Sequence, residues 1–155
     1  MRETQTIANI RTYLLATLGI GMIGTGAELL LLGHFEMVAQ LIPLILLGLG
    51  VATVIWHALG PRPSTVRALQ VTMTLFIVSG AVGVALHLRG NAEFELEVTP
   101  SMGGVELLQK TLTGATPALA PGSMTLLGLI GLTHSYRHPS LHADDPDPRD
   151  LKGKR

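Results

Sequence analysis

Long uncharged, apolar runs constrain this chain more than any other feature. From Tyr13 to Leu32 the one charged residue is Glu28, and comparable runs follow at 37–59, 66–88 (with Arg67 at its edge) and 112–132. About twenty residues at about 1.5 Å each make about 30 Å, the thickness of a bilayer's hydrocarbon core. Lipid cannot hydrogen-bond to bare backbone, so such runs have to be helices. The sequence therefore predicts an all-α integral membrane protein, an antiparallel four-helix transmembrane bundle. Its single domain covers 1–132 and is followed by a disordered cytoplasmic tail at 133–155.

Composition agrees. Charged residues make up 14% of the chain, against roughly 25% in soluble domains, and the deficit falls in the four runs. Net charge is zero and there is no cysteine. No global field attracts nucleic acid, and disulfide, thiol and cysteine-cluster chemistry is excluded. A cleaved leader ending at Thr25-Gly26-Ala27 is the rival reading of the first run, but Leu29 to Leu32 carry the apolar pattern past that point.

Orientation follows from Lys and Arg. Arg2, Arg11, Arg62, Arg67, Arg137, Arg149, Lys152, Lys154 and Arg155 fall on one side of a four-span chain, and Arg89 and Lys110 on the other. The richer side is the expected cytoplasmic face of a plasma (inner) membrane, with both termini inside. Tyr13, Trp56 and Tyr136 reach the same inner boundary, where amphipathic rings settle. Rows of small residues (Thr17, Gly21 and Thr25; Gly48 and Ala52; Ser79 and Gly83; Ala81 and Ala85) are expected to let the helices approach closely.

The long interruption is 89–111, which should lie outside. Glu93, Phe94, Glu95, Leu96, Glu97 and Val98 alternate acid and apolar, a period of two that predicts a strand-like strap. After Gly103-Gly104, Glu106 and Lys110 stand at i and i+4 among apolar residues at helical spacing. They predict a short interfacial helix between the third and fourth spans. Pro117 and Pro121 are read as bends in the fourth span, a broken or re-entrant helix being the alternative.

Glu28 lies about 9 Å from the midplane of its span. An isolated carboxylate there costs about 2.5–3.5 kcal/mol, so it should be paired, protonated or facing water. His34, His87 and Arg89 share the outer side with it and form the expected polar cluster. Gly19-Ile20-Gly21-Met22-Ile23-Gly24 matches a dinucleotide fingerprint, but mid-span, without the strand that motif requires. His57 reads as a boundary residue. His134, His138 and His142 stand four apart, but Pro139 interrupts them. No catalytic set, metal site or cofactor is expected. The functional reading is a non-enzymatic accessory, assembly or interaction component. Its expected contacts are lipid and either a second copy or another membrane protein. The alternatives are a small oligomeric transporter or channel coupled through Glu28 and, after that, a membrane-embedded enzyme.

Overall fold

The computed structural model describes residues 2–114 and 116–141, and within them the chain is all helix and loop, without a strand. Five α-helices follow in order: α1 Arg2–Leu31, α2 Val38–Leu59, α3 Pro63–Val98, α4 Gly104–Thr113 and α5 Gly122–Ser135, with a 3-10 turn at Pro139–Leu141. The first three are each long and apolar enough to cross a membrane. α1 packs on α2 and α5, α3 packs on α2 and α5, and α4 lies against α3.

Local chemistry explains the boundaries. The Met37 backbone N–H donates to Gln40 Oε1 at 3.0 Å, closing the start of α2. At the start of α3, Pro63 occupies the first turn, where its missing N–H is not needed. Thr65 Oγ1 accepts from Arg62 N at 3.0 Å and has Arg62 O within donating distance, also at 3.0 Å. Pro100 ends α3 by forcing Thr99 out of helical geometry, to φ −136° and ψ 85°.

Three expectations are corrected. Residues 93–98 are not a strand: they are the last turns of α3, which runs unbroken for 36 residues. A six-residue alternation is too short to override a helix already propagating through it, and Arg89 Nε bonds Glu93 Oε1 at 2.7 Å, a contact only helical spacing provides. The fourth run is not one bent helix. It breaks between Thr113 and Gly122, leaving α5 with 14 residues, about 21 Å. Pro117 disfavours helical geometry at Thr116, and Gly114 leaves α4 extended, at φ −66° and ψ −170°. The tail does not begin at 133, because α5 continues to Ser135 and the 3-10 turn follows. Its remainder, 142–155, lies outside the described residues. The short helix expected near Glu106 is present as α4. α1 begins at Arg2, well before the apolar run, and passes through 25–27 without interruption.

The core is small and dry: Leu18, Met22, Leu47, Leu69, Met73, Phe76, Met124 and Leu127. Apolar side chains also cover the outside, with Ile20 73%, Leu31 88%, Val38 82% and Leu59 83% exposed. Such a surface suits lipid rather than water. The tightest approach is between α3 and α5. A methyl on Gly128 would stand 2.6 Å from Met73 O, and one on Gly80 2.6 Å from Thr125 N. Of the small rows in the sequence, Gly21 against Leu127 and Gly83 against Pro121 are used this way, whereas Gly48 faces open space. Gly128→Ala should therefore cost about 1–3 kcal/mol through overpacking, and Gly48→Ala should be neutral. Thermal midpoints in detergent compare them directly, and equal midpoints would contradict the close approach.

Candidate functional site

The residues expected to cluster at the outer end are engaged separately. Arg89 binds Glu93 on its own helix. His87 Nδ1 lies 3.3 Å from Pro117 O and so donates to it. His34 is half-buried in the turn after α1. Glu28 is exposed, with no hydrogen bond or ion pair to its side chain among the described residues. On the continued helix Phe94, Leu96 and Val98 are 51%, 38% and 66% exposed; Glu93 and Glu97 are exposed too, and Glu95 is half-buried.

The organising polar residue at that end is Asn91, 2% exposed. Its amide meets the break in the chain with its full bonding capacity. Nδ2 donates to Thr111 O at 3.0 Å and to Thr116 O at 2.8 Å. Oδ1 accepts from Thr116 N at 3.1 Å and from Thr116 Oγ1 at 2.7 Å. One side chain thus satisfies backbone groups that the end of α4 would leave open. Gly114 lets it sit there, since a methyl at 114 would lie 2.9 Å from Asn91 Cγ.

At the opposite end three imidazoles converge. His57 ends α2, His134 ends α5, and His138 follows the turn after α5; they are 2%, 3% and 8% exposed. Ring centroids are 5.2 Å apart for His57–His134, 5.0 Å for His57–His138 and 5.6 Å for His134–His138. One ligand atom from each lies within 4.8 Å of the other two. His57 Nε2 and His134 Nε2 are 3.1 Å apart, His57 Nδ1 is 3.0 Å from Thr65 Oγ1, and His134 Nδ1 is 3.0 Å from Arg11 O. Burial, with His57, His134 and Arg11 beside it, holds the His138 imidazole down to about 4. His138 is therefore neutral at pH 7.

Arg11 fixes this end. Its guanidinium donates to His134 O, to Tyr136 O at 2.9 Å and to Arg137 O at 3.2 Å, while its buried Nε has no partner. A cation at the C-terminus of α5 also complements the helix dipole. A recess of about 930 Å³ opens beside the cluster, with Ile7, Ala8, Arg11, His57, His134 and His138 among its walls.

Sequence reasoning missed this cluster and Asn91. The available signal was that His57 and His134 both end apolar runs on the expected inner side. The i, i+4 spacing of His134 and His138 misled, because the helix stops between them. Arg137, at φ 47°, sits in the turn that follows α5 and leads to His138. The histidines that meet are 77 positions apart.

Asn91→Leu leaves buried backbone groups without partners at about 1–3 kcal/mol each. It should expose 99–122 to protease while the α1–α3 core stays folded. Arg11→Met should cost about 2 kcal/mol through lost charged hydrogen bonds, and should speed tryptic cleavage at Arg137 several-fold. An unchanged digestion pattern in either variant would refute the corresponding contact. No protein-family model, curated protein or solved structure matches this chain.

Proposed function

We propose that the protein is a multi-pass, non-enzymatic component of a plasma (inner) membrane. On this reading it acts through contacts made by its outer unit, 89–113. α1, α2 and α3 are the full crossings, and the 116–121 segment with α5 makes a fourth, broken one. Both termini lie in the cytoplasm. The Lys and Arg distribution supports that orientation, as do Tyr13, Trp56 and Tyr136, which are 72%, 52% and 65% exposed at the His-cluster end.

The observation that carries the reading is the length of α3. Its 36 residues make about 54 Å, well beyond the about 30 Å of hydrocarbon. The excess is the Arg89–Val98 segment, held to α4 by Asn91. This unit leaves Phe94, Val98, Val105 and Leu108 exposed at 51%, 66%, 81% and 59%. Such an apolar, rigidly presented surface outside the membrane suits protein contact. The partner proposed is a second copy of the chain. Glu28, about one turn before the end of α1 at the same outer end, is exposed without a partner among the described residues and needs cover that lipid does not give.

Because the chain has no cysteine, single cysteines report both topology and contact. Cysteine at Glu97 should react with an impermeant maleimide in intact cells, and cysteine at Arg62 only after lysis; the reverse pattern refutes the orientation. A photo-crosslinker at Phe94 or Val105 should yield a dimer of this chain, lost on Leu108→Glu. Adducts to lipid alone would sink the contact reading. The same unpaired Glu28 favours the oligomeric transporter as a second reading. With the core dry, its path would run between copies, and Glu28→Gln would abolish flux in vesicles while leaving the dimer intact.

A further inference from the structure

We propose that His57, His134 and His138 bind one borderline divalent transition ion, of which Zn²⁺ is the type, at the inner end of the bundle. The inference is independent of the contact reading above.

Proton placement makes the case. Arg11 O can only accept, so His134 Nδ1 carries the ring hydrogen, and the lone pair on Nε2 points at His57 Nε2, 3.1 Å away. Thr65 Oγ1 can play either role toward His57 Nδ1. Without an ion, Thr65 donates to Nδ1, and His57 Nε2–H donates to His134 Nε2. With an ion, the His57 hydrogen resides on Nδ1 and donates to Thr65, whose own proton turns to Arg62 O, 3.0 Å away. Both Nε2 lone pairs then converge. The exchange moves one proton from Nε2 to Nδ1 of the same ring through water and rotates one hydroxyl, with no net proton released.

The geometry suits such an ion. Two imidazole nitrogens on a tetrahedral ion at about 2.0–2.1 Å are about 3.3 Å apart, close to the 3.1 Å observed. The carbonyl of Arg11 and the hydroxyl of Thr65 are the outer partners that orient ligating histidines in known sites. His138 supplies the third nitrogen by closing up to about 1.5 Å toward the other two. It thereby gives up the Ser140 N–H that its Nδ1 accepts at 3.2 Å. The fourth position faces the recess, leaving room for water or an exchangeable ligand. Three neutral imidazoles without carboxylate select Zn²⁺, Ni²⁺ or Cu²⁺ over Ca²⁺ or Mg²⁺. The Arg11 charge opposes a cation, but the guanidinium is turned to the carbonyl of His134 in the last turn of α5 and to those of Tyr136 and Arg137 just after it, whose partial negative charge offsets it.

The test uses the full chain in detergent, purified on a tag free of histidine and stripped with chelator. Zn²⁺ titration followed by elemental analysis should give one ion per chain and a raised thermal midpoint, and Co²⁺ should give visible bands of a tetrahedral nitrogen site. His138→Ala and the isosteric Thr65→Val should each weaken Zn²⁺ at least tenfold, while His34→Ala and His87→Ala keep wild-type affinity. The Co²⁺ spectrum of the wild type decides the matter even if His57→Ala fails to fold. No ion above buffer level on the wild type, or undiminished binding by His138→Ala, overturns the site.

Discussion

α5 is too short to span a bilayer alone, and the stretches of chain just before and just after it are satisfied by side chains from elsewhere. Asn91 of α3 closes the break before it, and Arg11 of α1 closes its C-terminus. In hydrocarbon an unpaired carbonyl or N–H costs several kcal/mol, so a broken helix survives only where such partners are fixed in place. With both ends pinned, the glycines of α3 and α5 can bring their backbones into contact. The polar chemistry then gathers at the two ends of the bundle.

Between those ends lies a core of leucine, methionine and one phenylalanine. Threonines such as Thr53, Thr74 and Thr133 do not open it, because they return their hydroxyls to the carbonyl one turn back. Thr53 bonds Leu49 O at 2.7 Å, Thr74 bonds Gln70 O at 2.9 Å and Thr133 bonds Leu129 O at 2.8 Å. A solute path through one copy of the chain would have to cross that dry layer. The proposed contact at the Asn91 end and the proposed ion binding at the histidine end are both compatible with it, and they need not be coupled.

What could be read from sequence was what depends on composition over some twenty residues. The helices α1, α2 and α3 and their turns follow from uncharged runs and from the Gly60 to Pro63 breaker, and α4 follows from helical spacing after two glycines. What depends on a few residues was misread. The alternation at 93–98 satisfies a period of two, yet Phe94 with Val98 and Glu93 with Glu97 also stand four apart, and the helix arriving from Pro63 decides between the periods. The prolines at 117 and 121 marked a disturbance, but only the Asn91 bonds show that it is a true break. The histidine cluster was illegible because α2, α5 and the turn after α5 assemble it from distant positions, and no local spacing encodes such a meeting.

Glu28 then stands out by contrast. Arg89, Asn91, Arg11 and the three histidines are each answered within the chain, whereas this carboxylate points outward from α1 with no partner among the described residues. Its neighbours on that face, Ile20, Gly24, Ala27 and Leu31, are exposed as well, and Gly24 has open space where a side chain would be. A charge that the fold itself does not use, on a face with room for another backbone, is costly for a solitary molecule in lipid and inexpensive for one that pairs. Glu28 is thus an acid on the apolar outside of α1 that no described residue pairs with.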